Sequence, residues 1–597
     1  MRPTFLVAAL VLVTTCNAHA ADPSRFADFP LRRWWRAAAN ARTRTEVKML
    51  HRRVGFPLIA LSAFALLLRP GLSADDHGGT HASGGAQMSE VNFPVSCSPE
   101  SQRRFNHAVW TLHSFWYEEA VKEFTAISDA EPRCAMAYWG AAMSQWYPLW
   151  YPPSPATLKS GLEAVEKGLA ASPPTDREQA YLEAIARFYR DSDKHDHATR
   201  ALAYGDGMKQ VYERFPADKE AAIFYSLALN ATWPPTDKTY ANLRQAAAIL
   251  ERAWAEQPDH PGVVHYLIHS YDVPAMAHDG LAAARRYAAI APAVPHAQHM
   301  PSHIFTRLGL WEESIQSNLV GHAAAKAYAE KTFGPGGYDQ ETVHTLDYLA
   351  YAYLQTAQDR AAKGVVDEIA SLKSGATPNL PIAYAIAAIP ARYALERRDW
   401  PGAAALTRTA VNFPLERFPW AAAMTSFARA LGAAHGGDLA TARAEMANLQ
   451  SFRDALVAAK NQYWANQVEV QRLGAAAVLA HVEGDGARAA ELSRAAAELE
   501  DSMDKHPATP GMLFPAHELR ADLLLAQHDA AGALKEYQAV LRTDPNRFQS
   551  VLGTARAAKL AGDAAAAAEW YRHVIALAAK ADTDRPELAE AKRFLKQ

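Results

Sequence analysis

The chain has 597 residues, of which 49% are hydrophobic and 21% charged, with Lys+Arg 61 against Asp+Glu 64 and a formal net charge of −3. Such a composition belongs to a folded protein rather than a disordered one. No long basic run follows residue 75, which argues against nucleic acid as a partner, because phosphate contacts need concentrated Lys and Arg.

The N-terminus reads as export machinery. MRPTFLVAALVLVTTCNAHA has a basic start, a short apolar stretch and a small-residue exit at Ala18–Ala20, the layout of a cleavable signal. A second such segment, MLHRRVGFPLIALSAFALLLRPGLSA, runs from Met49 to Ala74. Its apolar run 55–68 contains Pro57 and is shorter than the roughly 20 residues a membrane helix needs. The expectation is an export-signal region over 1–74, with Met49 as the true start and 49–74 as the signal; the alternative is a membrane anchor at 55–69. After signal removal no stable transmembrane segment is expected, and the protein is expected to be periplasmic or otherwise extracytoplasmic. A polar, glycine-rich linker, DDHGGTHASGGAQMSE, opens the 75–92 stretch.

Beyond Ala74 the cysteines are Cys97 and Cys134. In an oxidising compartment they suggest one disulfide, tying the chain before the first helix to the start of the third; the alternative is a pair of buried thiols. No CxxC occurs, so cysteine-bound zinc and redox chemistry are not expected.

From residue 93 the apolar period is helical almost throughout. In FNHAVWTLHSFWYEEAVKEFTAISDAEP (105–132), Ala120, Phe124, Ile127 and Pro132 stand at the spacing of the tetratricopeptide repeat, where a small residue admits a neighbouring helix, an aromatic fills the groove and proline ends the pair. Ala246, Leu250, Ala253 and Pro258 repeat it, and near the C-terminus a shift of 34 overlays Ala533 on Ala567 and Tyr537 on Tyr571. The expected fold is all-α, an α-solenoid of tetratricopeptide-like helix pairs. It divides into an N-terminal array over 93–362, divergent helical repeats over 363–510 and C-terminal repeats over 511–597. A solenoid offers its concave face to a protein, peptide or small-molecule ligand.

Within the first array, WYPLWYPP (146–153) places Tyr147 and Trp150 among prolines, either capping a pocket or packing a loop. HYLIHSYD (265–272) and HAQHMPSH (296–303) then carry histidine pairs four apart, His265/His269 and His299/His303, offset by 34. Residues four apart share a helix face, and first helices of adjacent repeats stack side by side, so both pairs should face one space. With Asp272 and His296 they form a candidate metal site suited to zinc, copper or iron and poorly to calcium or magnesium. The bland alternative is a hydrogen-bonded polar network in the core. His113, His344 and Asp347 are expected to line the same concavity behind the ligands, each also open to a structural reading. Catalytic residues are unassigned, with Asp272 and Asp347 as candidate general bases.

The runs PGVVHYLIHSYDVP, YAAIAPAVPHAQHMPSHIFTRLGLWEESIQSN and VHTLDYLAYAYLQ, with LHSFWYEEA and CAMAYWGAAMS before them and TPGMLFPAHELRADLL through PNRF after, resemble a family of bacterial exported tetratricopeptide-repeat proteins over about 95–575. The resemblance implies the solenoid, export and the paired histidines, and carries no activity. Two positions depart from it. Tyr147 stands where relatives often have histidine, and Met276 stands where they often have Pro-x-His after the aspartate, with His278 displaced by two. Three functions follow from the sequence. One is a binding scaffold with an internal metal site, another a hydrolase or oxidase/oxygenase using an open metal position, and the third a metal-free protein–protein scaffold.

Overall fold

The computed structural model describes residues 91–407 and 413–596. The signal region 1–74 and nearly all of the 75–92 linker lie outside the described residues. The described residues belong to one compact unit, Ser83–Gln597. Among the described residues the chain is all-α apart from two short parallel strands, Gly337–Tyr338 and Ser374–Gly375.

Consecutive helices pair through tight turns, and the turn chemistry repeats. Gly437, Gly484 and Gly562 sit at φ 81°, 85° and 79°, and each is followed by an aspartate that caps the next helix: Asp438 accepts from Thr441 N–H, Asp485 from Arg488 N–H and Asp563 from Ala566 N–H. A left-handed residue ends one helix and an Asp side chain starts the next. The divergent 363–510 stretch therefore uses the same punctuation as the C-terminal repeats. Packing follows the small-against-aromatic rule: a Cβ on Gly140 would lie 2.3 Å from the Phe124 ring, and one on Gly553 would lie 2.2 Å from Tyr537. Cys97 and Cys134 form a disulfide between the chain before Pro99–His113 and the cap of Ala135–Ser144.

One apolar core runs from Val91 to Phe305 and a second from Trp311 to Leu523. Across Gln340–Gln355 and Leu380–Glu396 of the second core lies an irregular segment, 503–514, between Gly486–Asp501 and Ala516–Ala526. Backbone and side-chain hydrogen bonds hold it there. Asp504 N–H donates to Pro235 O at 2.8 Å, Tyr348 OH to Thr509 O at 3.2 Å, Tyr384 OH to Gly511 O at 3.2 Å and Arg392 to Met512 O at 2.9 Å. Instead of leaving these helix faces open, the chain covers them itself and delivers Lys505 into the interior.

Candidate metal centre

Three elements build the site. Pro261–Tyr271 carries His265 and His269 on one face, as the four-residue spacing requires. The next repeat's first helix is broken in two, Pro295–His299 and Pro301–Arg307, because Pro301 has no N–H to continue the ladder. His296, His299 and His303 project from it. Gln340–Gln355 contributes His344 and Tyr348. Gly321 on Trp311–Phe333 lies so close to His299 that a Cβ there would meet its backbone nitrogen at 3.1 Å, and this approach lets Asn318 reach the ring.

Among the described residues, three groups bring three potential ligand atoms within 4.8 Å of one another: His265/His269/His296, His299/His303/His344 and His113/Glu220/His260. In the first two, every member is an imidazole. All six rings are buried except His269, which is partly so.

The proton assignment separates these groups. His265 Nδ1 donates to His113 O at 2.7 Å, His303 Nδ1 to Asp272 Oδ2 at 3.0 Å, His296 Nδ1 to Glu341 Oε2 at 3.2 Å and His299 Nδ1 to Asn318 Oδ1 at 2.6 Å. The Asn318 amide is itself oriented by donation to Ser314 O at 2.7 Å. A neutral imidazole that donates from Nδ1 bears its lone pair on Nε2. Yet the Nε2 atoms of His265 and His296 face each other at 3.2 Å, and those of His299 and His303 at 3.1 Å. Lone pair meets lone pair in both places. His269 turns its Nε2 to within 3.1 Å of His265 Nε2 as well.

Protonation is disfavoured at His265, His269, His299, His303 and His344. Burial, then the neighbouring rings, holds His265, His269, His299 and His344 well below the ordinary histidine range; burial, opposed by Asp272, leaves His303 at about 4. His265, His296, His299 and His303 each aim an Nε2 lone pair inward and are each backed by an acceptor on the other nitrogen, as a metal ligand set requires.

The third group is different. His260 Nδ1 accepts from Val263 N–H at 3.4 Å and His113 Nδ1 from Tyr266 OH at 2.9 Å, so both Nε2–H groups donate to Glu220, each at 2.9 Å. Burial alone would raise the Glu220 carboxyl, but His260 and His113 pull it well below the usual range. This group is a satisfied hydrogen-bond network, and His113 meets the first triad through its backbone carbonyl, which accepts from His265 Nδ1.

Asp272, expected as a ligand, accepts from His303 and from two cations. Oδ2 accepts from His303 and from Lys505 Nζ (2.9 Å), Oδ1 accepts from Arg307 Nε (2.9 Å), and its own backbone O takes a second Arg307 bond. Burial would raise this carboxyl, but Lys505 and Arg307 hold it well below its ordinary value. His344, expected behind the ligands, is instead a member of the second triad, with its ring centroid 4.4 Å from that of His299. Asp347 faces Arg392 at 3.9 Å, and burial lifts its carboxyl to about 6 against the pull of that cation. Trp150 does reach the site, 5.3 Å from the His296 ring and 5.2 Å from that of His344. Tyr147 stacks on Tyr151 and meets Tyr117 edge-on. Tyr147 and Leu149 both adopt positive φ, 52° and 69°, an uncommon backbone for bulky residues that turns the loop and sets Trp150 against the rings.

Several contributors had no sequence signal. Phe115 packs on His265 with ring centroids 4.3 Å apart and stacks on His296 at 5.5 Å; Asn318, Glu341, Arg307 and Lys505 complete the surroundings. A narrow cleft lined by Glu118, Asp339 and Glu341 runs in to His296, and burial raises the Glu118 carboxyl to about 7 and that of Asp339 to about 6, so the cleft draws cations more strongly as pH rises through those values.

No family model matches the chain, and no curated protein matches it. Among solved structures it aligns with the APC/C hetero-tetramer Cut9–Hcn1 at 11% identity and TM-score 0.27, covering 84% of this chain and 96% of that one. It also aligns with the human IFIT1 dimer bound to PPP-AAAA at 12% identity and TM-score 0.33, covering 81% and 96%. At these values nothing those proteins bind or assemble with passes to this chain.

Proposed function

We propose that this protein is an exported, tetratricopeptide-like scaffold whose interior holds a transition metal on histidine nitrogens. The observation that carries the reading is the facing of Nε2 lone pairs, His265 on His296 and His299 on His303, in rings whose Nδ1 protons are already committed. A cation between such nitrogens turns a repulsion into coordination. The donor set is all nitrogen, which suits zinc, copper or iron and not the oxygen-seeking calcium or magnesium.

Binding is favoured over hydrolysis at Asp272, because a carboxylate tied to Lys505 and Arg307 and held far below its usual value is a poor proton acceptor. Protein or peptide partners belong to the outer faces of the array, since 503–514 covers the inner helices. Export from a signal ending at Ala74 is part of the same proposal, and N-terminal sequencing of the secreted chain tests it; a mature end near Ala21 would refute Met49 as the start. The metal is tested by inductively coupled plasma mass spectrometry of protein from the exported fraction, beside a His269→Ala, His303→Ala double variant. Near-stoichiometric metal, lost in the variant, is expected. A folded wild-type protein that neither carries nor takes up any transition metal overturns the reading.

A further inference from the structure

The geometry points to two metal ions rather than one, with each triad holding its own, and to copper in the Cu(I) state as the metal. This rests on the reading that the histidines bind metal at all.

The count follows from where the lone pairs collide. One set of facing nitrogens lies within His265/His269/His296, with Nε2 separations of 3.1 and 3.2 Å; the other lies within His299/His303, at 3.1 Å, with His344 completing the group. No residue is shared between the triads. An ion seated in the first leaves His299 and His303 still opposing each other, and an ion in the second leaves His265 and His296 so. Each collision needs its own cation. The backing acceptors are separate as well: His113 O and Glu341 stand behind the first triad, Asn318 and Asp272 behind the second. The triads nevertheless adjoin, with centroids 6.0 Å apart for His269 and His303 and again for His296 and His299.

The metal follows from charge. All six ligand groups are imidazoles, which bind a metal as uncharged donors and so offset none of its charge. The nearby carboxylate of Asp272 is already neutralised twice over by Arg307 and Lys505, leaving Glu341 as the anion against the ligands. Four positive charges in a buried, uncompensated pocket carry a large desolvation cost, and two carry far less. Cu(I) is monovalent, accepts imidazole, and is satisfied by three donors, the number each triad supplies. Phe115 and Trp150 pack against the His296 ring, with centroids 5.5 and 5.3 Å away.

The full exported chain, stripped of metal and titrated anaerobically with Cu(I) against a chromophoric competitor, is expected to take up two equivalents, with native mass spectra showing the doubly loaded species. His344→Ala and His265→Ala should each retain one equivalent, and the double variant none. An equimolar Zn(II) challenge should displace less than a tenth of the copper. One equivalent in the wild type, lost entirely in either single variant, means a single shared ion and overturns this inference while leaving the metal reading intact. Zinc retained against Cu(I) overturns the choice of metal. Uptake of neither metal refutes both readings together. If either variant fails to fold, as judged by helical circular dichroism, the wild-type count of zero, one or two still decides.

Discussion

Two regions of this protein place three potential ligands in a buried corner and mean opposite things. In the His113/Glu220/His260 group, a carboxylate sits between two rings and every ring nitrogen has a donor or acceptor opposite it. In the two all-histidine triads, the acceptors stand outside and the lone pairs point inward at one another. Crowding of histidines is common to both; the placement of protons separates them. A polar cluster that satisfies itself needs nothing further, and one that cannot do so calls for a cation.

That contrast is open to direct attack. The largest effect is expected from Glu220→Ala, which leaves two buried imidazole donors without their acceptor. It should cost about 3–5 kcal/mol of stability in a denaturant titration, by analogy with one-sided removal from a buried pair, and leave metal content unchanged. Metal loss in that variant while it remains folded would put the third group in the same class as the triads.

Next comes Asn318→Ala, which frees the His299 ring from its anchor. Metal affinity at the second triad should fall by about 10–100-fold, the usual consequence of losing a ligand's outer partner, while the first triad is unaffected. Equal weakening of both sites would mean that the two act as one.

The pH dependence is smaller per group. Burial, then Lys505, depresses His506 to about 3, and burial, then Arg398 and His481, takes His435 to about 4. A histidine whose folded value lies below its unfolded value of about 6.5 destabilises the fold as pH falls, because the unfolded chain gains the proton first. The metal-free protein should therefore lose stability from about pH 6.5 downward, by up to about 1.4 kcal/mol per pH unit for each such ring. Denaturant midpoints at pH 7.5, 5.5 and 4.5 measure the slope, and a flat profile would contradict the neutral, buried assignment. Glu220, held low, steepens the slope in the same direction only at the bottom of that window, where the unfolded carboxyl begins to protonate near its ordinary value of about 4.3.

The smallest change is expected in Glu118→Gln. Removing one acid from the cleft that leads to His296 should slow metal uptake a few-fold at low salt and at pH 8, where a carboxyl raised to about 7 is ionised, as expected for electrostatic steering, with stoichiometry unaltered in stopped-flow mixing.

Much of this architecture is legible in the amino-acid sequence. Helix pairing is a local matter: Ala120 and Phe124, or Ala533 and Tyr537, announce it at short range, and Gly-Asp turns mark the joints even where the consensus fades. The 34-residue offset of His265/His269 and His299/His303 likewise predicts convergence, because a repeat carries its faces with it. His344 is harder to rank, since a lone histidine on a third helix reveals neither its rotation nor its distance from the pair. Asp272 shows where local spacing stops informing: its position one turn beyond His269 suits a ligand, but the cations bonded to it, Arg307 and Lys505, lie 35 and 233 residues away.

Spacing within one or two helical repeats is enough to specify the all-α repeat, the pairing of Cys97 with Cys134 as a candidate, and the meeting of two histidine pairs. Other outcomes await the packed chain: which ring nitrogens carry protons, that His113 serves through its carbonyl, that His344 completes a triad while Asp272 stands behind one, and that 503–514 covers the inner helices. Those outcomes depend on contacts between residues up to hundreds of positions apart, where periodicity holds no information and only tertiary packing brings donor to acceptor.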